Sequence, residues 1–247
     1  MVLVEAEGVH VRFGDRVVLE NIDLAVSEGG LHGIMGPNGA GKTTFFNVLT
    51  GRVKPNRGRI RLAGADIAGL SPHAIANKGV ARSFQIMTLF DEFTARENVM
   101  MALPAFRVRG FDALHAVAGD RTLAQEADAV LASVGLGEKV AIVARQLPYG
   151  ERRALEIAVA LAQRPRLLCL DEPTSGLGSD GRARLAELIA TLKGALTIVI
   201  IEHDMEFLFS LADEISVIHW GQVIARGTPA ELKANPWVKG SNLGRLN

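Results

Sequence analysis

Nine consecutive residues, Gly36-Pro37-Asn38-Gly39-Ala40-Gly41-Lys42-Thr43-Thr44, have the types and spacing to hold a chain of phosphates. They fit the pattern G-x-x-x-x-G-K-[ST]. Glycines let the backbone close around phosphate oxygens because no Cβ intervenes. The N–H groups of such a loop, and of the helix it opens, supply positive potential. Lys42 adds a point charge near the β- and γ-phosphates, and the Thr43 hydroxyl is a ligand for Mg²⁺. A second stretch, Leu167-Leu168-Cys169-Leu170-Asp171-Glu172-Pro173, is an apolar run ending in two adjacent acids. Such acids at the carboxyl end of a strand face the crevice where open α/β sheets bind ligands. Asp171 suits the Mg²⁺ shell and Glu172 suits polarisation of an attacking water. An acid pair after a strand is by itself as often a solvated turn; a phosphate loop in the same chain assigns it chemistry.

The surrounding pattern supplies elements to position these groups. Leu31 to Met35, Leu167 to Leu170 and Thr197 to Ile201 are compact apolar runs, as strands buried on both faces of a parallel sheet are. Val2/Val4 and Val9/Val11/Phe13 alternate like half-buried strands, with a turn signal at Gly14-Asp15. The phosphate loop opens a helix with Phe45, Phe46, Val48 and Leu49 on its apolar face, ended by Gly51. Ser71-Pro72 reads as an N-cap followed by proline at the first helical position. Thr94-x-x-Glu97 and Thr228-Pro229-x-Glu231 read as capping boxes. Leu123, Ala127, Val130, Leu131 and Val134 recur at helical spacing, and Ser179 or Asp180 is placed to cap a helix before Gly194. Between about residues 89 and 163 helix dominates. The reading is one unit over 1–247, with an α/β core at 1–88 and 164–247 interrupted by a helical insert at 89–163. The end after about residue 233 reads as loosely ordered.

Composition narrows the classes. Lys plus Arg and Asp plus Glu both number 27, and this balance argues against a polyanion-binding surface and against a nucleic-acid partner. The single cysteine, Cys169, excludes an intrachain disulfide and points to a reducing compartment. It sits in an apolar run and reads as a small buried hydrophobe. The N-terminus lacks the basic and long apolar regions of a secretory signal. Apolar stretches such as 196–201 fall far short of the roughly 18 residues of a spanning helix, so this chain is expected to lie outside the bilayer.

The chain resembles the ATP-binding domains of ABC transporters over nearly its whole length. Leu147-Pro148-Tyr149-Gly150-Glu151, before a helix expected from Arg152 to Ala162, stands where that family has its L-S-G-G-Q signature. Gln85 in Ser83-Phe84-Gln85 resembles the Q-loop glutamine, and His203 in Ile201-Glu202-His203-Asp204 the switch histidine. Phe13 resembles the aromatic that stacks on adenine. Each landmark is weak alone; their order beside the phosphate loop and acid pair is not. The resemblance implies a P-loop NTPase (RecA-like) core with an N-terminal antiparallel β subdomain and an inserted α-helical subdomain. It further implies ATP and Mg²⁺ as ligands and a head-to-tail pair with a second, identical or different, ATP-binding subunit. In such a pair Pro148, Tyr149 and Gly150 face the partner's nucleotide. Thr43, Asp171 and Gln85 serve Mg²⁺ and water, Glu172 is the general base, and His203 contacts the γ-phosphate.

Within the family, Ala81-Arg82-Ser83-Phe84-Gln85, the stretch Leu147 to Glu156, Ile201-Glu202-His203-Asp204-Met205 and Gly227-Thr228-Pro229 resemble importers of branched-chain and other hydrophobic amino acids. Urea importers and other small-solute importers share much of this text. The resemblance implies transmembrane permease subunits, indirectly a solute-binding protein, and a peripheral position on the cytoplasmic face of the inner or plasma membrane. The Met- and Phe-rich stretch from Ile86 to Phe111 fits equally the core of the insert or a socket for the permease. Pro148 replaces the signature serine, and Gly178 stands where the family often has Asp or Asn. These departures keep open a degenerate module with weak hydrolysis. A soluble ATPase acting on DNA or ribosomes lacks support, because the chain shows no tandem domains, long inserts or basic tracts. The signature text also disfavours a phosphoryl-transfer kinase.

Overall fold

Parallel pairing among the apolar runs builds the frame. The computed structural model describes residues 1–83, 89–109 and 120–235, without the side chains of 107–109. Strands β3 (Leu31–Met35), β6 (Val80–Arg82), β7 (Leu167–Asp171), β8 (Thr197–Ile201), β9 (Glu214–His219) and β10 (Gln222–Gly227) form a six-stranded sheet in the order β10-β9-β3-β8-β7-β6. Every described pairing in it is parallel except β10 with β9. All residues of β3, β7 and β8 are buried. Alternate residues enter two separate cores. Leu168, Leu170, Ile198 and Ile200 face one, and Leu167, Cys169, Val199 and Ile201 face the other. A strand covered on both sides has no use for a polar face, which explains the uninterrupted apolar text.

The two cores have different lids. On one side, β1 (Val2–Phe13), β2 (Arg16–Ser27), β4 (Arg57–Leu62) and β5 (Ala65–Asp66) form an antiparallel sheet in the order β2-β1-β4-β5. It shares its core with Phe45, Phe46, Val48 and Leu49 of α1 (Lys42–Leu49) and Ile75 of α2 (Pro72–Asn77). The two alternating patches expected near the N-terminus are one strand, β1, whose register with β2 shifts between Ala6 and Val9. The irregularity absorbs the break in alternation.

The other core is helical. It joins α3 (Ala95–Ala102), α5 (Arg121–Ser133), α6 (Tyr149–Leu161), α7 (Ser179–Leu192) and α8 (Met205–Leu211), with α4 (Pro104–Arg109) beside α3. Both capping boxes form, at Thr94–Glu97 before α3 and at Thr228–Glu231 before α9 (Pro229–Ala234). Ser71 caps α2 through the N–H of Ala74. Two helix starts differ from expectation. Gly178, not Ser179 or Asp180, is the N-cap residue of α7, without a side-chain cap. Helix α6 begins at Tyr149 rather than Arg152, because the Pro148 carbonyl already accepts from the N–H groups of Glu151 and Arg152 at 2.9 and 3.0 Å.

Cys169 is fully buried, and burial pushes its thiol up to about 12, so it is an unreactive core side chain. His32 is a second buried group, 2% exposed, with Nε2 3.0 Å from Ser216 Oγ and Nδ1 3.6 Å from Glu214. Burial lowers its pKa from 6.5 to about 4; Arg226 adds to the shift and Glu214 opposes it. The unfolded chain therefore takes up this proton first, at about pH 6.5. The stability of neutral His32 is fully present above that pH and is lost as pH falls toward 4, by about 3 kcal/mol in total. Urea unfolding of wild type and His32→Gln between pH 7 and pH 4 should show a stability loss about 2–3 kcal/mol smaller for the variant. Parallel pH profiles would remove His32 from the account.

Candidate functional site

Register decides where the chemistry meets. Ile34 of β3 pairs with Ile201 of β8, and Ile201 pairs with Asp171 of β7, so three strands end level. The phosphate loop, the pair Asp171-Glu172 and the turn Glu202-His203 therefore leave one edge of the sheet side by side. On the far side of β7, the N–H of Ser83 donates to the Cys169 carbonyl at 2.9 Å, which brings the end of β6 to the same edge.

The phosphate loop is shaped by close backbone approach. A Cβ on Gly36 would lie 2.0 Å from the Ile218 carbonyl oxygen, and one on Gly41 would lie 2.6 Å from Leu19 and 2.8 Å from the Val18 oxygen. Gly41 has a left-handed φ of 104° and is the N-cap residue of α1, with no side-chain cap. The first amides of α1 thus lack the partner that a capping side chain supplies. Lys42, 5% exposed, folds back and donates to the Gly36 and Pro37 carbonyls at 2.7 and 3.0 Å. Burial lowers its pKa, while Glu172, Asp171 and Glu202 raise it. One ammonium therefore stands within the field of three acids. Asn38, Gly39 and Thr43 are exposed, and Thr44 is half-buried.

Asp171 is 3% exposed and ion-paired with Arg82, whose Nη2 lies 2.7 Å from Oδ2. Arg82 also donates to Asn47 Oδ1 at 2.7 Å and to Thr50 Oγ1 at 3.3 Å, and it lies 5.5 Å from the Phe46 ring centre. The guanidinium thus joins the acid strand to the phosphate-loop helix. Glu172 is half-buried at a φ of 45°, and its N–H donates to the Ile201 carbonyl at 2.9 Å. A non-glycine residue in that region is held there by its surroundings. It is the residue that the sequence reading gives the role of general base.

Other anticipated groups are spread out. The His203 side chain is 56% exposed at the level edge. Phe13 is 54% exposed at the end of β1. Pro148, Tyr149 and Gly150 are exposed at the start of α6. The Tyr149 hydroxyl donates to the Ser175 carbonyl at 3.1 Å, so this turn meets the loop after β7. Gln85 lies outside the described residues, as do Ile86, Met87 and Phe111 of the apolar stretch. Within that stretch Met100 is buried and Phe106 packs against the helical core. Phe90 is 58% exposed, with its backbone clamped by Asn98 in both directions at 2.8 and 3.1 Å.

The donor set fits a phosphate chain: uncapped helix amides, a buried ammonium and an open Thr43 hydroxyl. Among the described residues, no three His, Cys, Asp or Glu side chains gather to hold a metal unaided. Thr43 and Asp171 are hard oxygen donors that suit Mg²⁺ when phosphate oxygens complete its shell. Sequence reasoning missed Arg82 and Glu202. Each was legible only as a charge at the end of an apolar strand.

A family model described as ABC transporter matches residues 19–175. The chain is 40% identical to the high-affinity branched-chain amino acid transport ATP-binding protein BraF of Pseudomonas aeruginosa, covering 98% of each chain. It is 38% identical to LivG of Escherichia coli, a protein of the same description, again over 98% of each. The fold superposes on the ADP conformation of MJ1267, an ATP-binding cassette of an ABC transporter, with a TM-score of 0.87 at 26% identity over 99% and 100% of the chains. It superposes on cbiO1 from Clostridium perfringens with a TM-score of 0.82 at 26% identity over 99% and 96%.

The Arg82–Asp171 pair generates a prediction. Breaking a buried ion pair by removing one partner typically costs about 3–5 kcal/mol, because it strands a charge. Arg82→Met should lower stability by that amount in urea unfolding. Adding Asp171→Asn should restore most of it, since no charge then remains uncompensated. A loss below about 1 kcal/mol for Arg82→Met would mean that the pair is not a structural support.

Proposed function

The chain belongs to the ABC transporter family as its ATP-binding cassette, and on that premise we propose that it hydrolyses ATP to drive an importer of branched-chain or other hydrophobic amino acids. The observation that carries the catalytic part is the level ending of β3, β7 and β8, which aligns the phosphate loop, Asp171-Glu172 and His203. The similarity to BraF and LivG over the whole chain supports the choice of solute.

In this reading Gly36 to Thr44 wrap the phosphates, and Lys42 leaves its loop carbonyls to meet the β- and γ-oxygens. Thr43 and Asp171, with Gln85, would hold Mg²⁺, which when bound would supply charge neutralisation on the phosphates. Glu172 takes the proton of the attacking water as its oxygen bonds to the γ-phosphorus, the bond from that phosphorus to the β,γ-bridging oxygen breaks with ADP as the leaving group, and His203 contacts the γ-phosphate. Phe13 stacks on the adenine. Two cassettes pair head to tail, so that Pro148, Tyr149 and Gly150 of one face the nucleotide of the other. Pro148 offers no hydroxyl and no side-chain cap to α6. The amides of Tyr149 and Gly150, unbonded within the helix, are left to receive an anion.

Subunits of this family work with permease components, and no described helix is long and apolar enough to cross a membrane. We place the chain peripherally at the cytoplasmic face, beside a permease that receives solute from a binding protein. The apolar stretch divides in two. Met100 and Phe106 belong to the core, whereas Phe90 is rigidly held and exposed, as a permease contact requires.

Glu172→Gln should retain ATP binding and lower turnover by about 10²–10⁴-fold, the usual contribution of a general base. Equilibrium nucleotide titration alongside phosphate release tests this, and wild-type turnover would place the base elsewhere.

Phe90→Glu should leave ATPase activity of the free chain unchanged and abolish solute uptake by the complex in proteoliposomes. Full uptake by a soluble, active variant would remove Phe90 from the permease interface.

A further inference from the structure

Glu202 is completely buried, at 0% exposure, yet its carboxylate receives a full set of donors. The N–H and hydroxyl of Thr174 both donate to Oε1, with the N–H at 2.9 Å. The N–H groups of His203 and Asp204 donate to Oε2 at 2.9 and 3.2 Å. Its own N–H donates to the Ile34 carbonyl at 3.1 Å, which fixes the residue against the end of β3. The carboxylate therefore lies between the loop that follows Glu172 and the turn that carries His203. On its far side it contributes to the field that raises the Lys42 pKa.

A buried carboxylate is tolerated only while its hydrogen bonds persist. Moving the 172–178 loop relative to the 202–204 turn would withdraw two donors from a charge that water does not reach. The two segments are thereby compelled to move together. Within the first, Ser175 N–H donates to the Glu172 carbonyl at 3.1 Å and Leu177 N–H to the Thr174 carbonyl at 3.0 Å, so a displacement at Thr174 reaches Glu172. Within the second, Asp204 caps α8 through Phe207 N–H at 3.0 Å and pairs with Arg182 at 3.0 Å.

We propose that Glu202 is a positioning residue for hydrolysis: it locks the loop carrying Glu172 to the turn carrying His203, so that base and γ-phosphate contact keep one relative geometry. This rests on the reading of the chain as an ATPase. Glu202 itself has no surface open to solvent.

Glutamine is the informative substitution. It keeps size and one acceptor but replaces an oxygen by an NH₂ donor. A backbone N–H of Thr174, or of His203 and Asp204, then faces a donor whichever way the amide turns. Single-turnover hydrolysis of radiolabelled ATP by the full-length chain is the assay, with nucleotide affinity measured by titration. Glu202→Gln should slow hydrolysis at least tenfold while ATP affinity stays within about threefold. In a His203→Ala background it should add less than a twofold loss, because the γ-phosphate contact whose geometry it fixes relative to Glu172 is already gone. Thr174→Val removes one donor with little change in shape. It should slow hydrolysis three- to tenfold, an effect that again vanishes in the His203→Ala background, and it decides alone where Glu202→Gln fails to fold. Losses that multiply with His203→Ala, or a Thr174→Val rate equal to wild type, overturn the proposal. An inactive wild-type chain would instead overturn the ATPase reading on which it stands.

Discussion

Parallel hydrogen bonding in register is the constraint on which the site depends. Because β3, β7 and β8 stop at one level, three loops from distant parts of the chain leave the sheet within reach of one another. Each strand is short and fully buried, so its register is enforced by two cores at once. A slip of one residue would exchange the faces of a strand and break both cores. The level at which Lys42, Glu172 and His203 leave the sheet is thus inherited from hydrophobic packing.

Charge then refines what packing places. The edge of the sheet buries Asp171, Glu202 and Lys42 almost completely, and each is compensated differently. Asp171 has a guanidinium, Glu202 has backbone and hydroxyl donors with His203 Nδ1 3.7 Å away and the Lys42 charge nearby, and Lys42 has carbonyls together with the field of nearby acids. A lysine held by its own loop carbonyls keeps the loop in shape and its charge at hand. The acids oppose, without cancelling, the depression of its pKa by burial. Arg82 extends the same economy of contacts sideways, joining β6, β7 and α1.

The two departures from the family pattern have local explanations. Pro148 is the N-cap residue of α6, extended at φ −54° and ψ 153°, where its missing N–H removes no helical bond. The tyrosine that follows reaches the Ser175 carbonyl, so this turn is anchored to its own chain by the neighbour of the substituted residue. Gly178 is the N-cap residue of α7 and likewise brings no side chain to the helix end. Neither helix start carries a side-chain cap.

The sequence alone determined the fold class, the phosphate loop and the acid pair. Those signals are local: a glycine pattern, a run of apolar residues covered on both faces, and capping boxes that involve residues three apart. It also placed a histidine and a signature by resemblance, and read Cys169 as core. It could not decide between socket and core for the stretch after Gln85, since exposure of Phe90 and burial of Met100 depend on what α5 and α6 pack against. Nor could it find the partners of Arg82 and Glu202. In the sequence each is a charge beside an apolar run, no different from a solvated strand end. Asp171 is 89 residues from Arg82, and Thr174 is 28 residues from Glu202. Only the tertiary structure closes those distances, because contacts between remote segments are set by strand order and register, which no local spacing encodes.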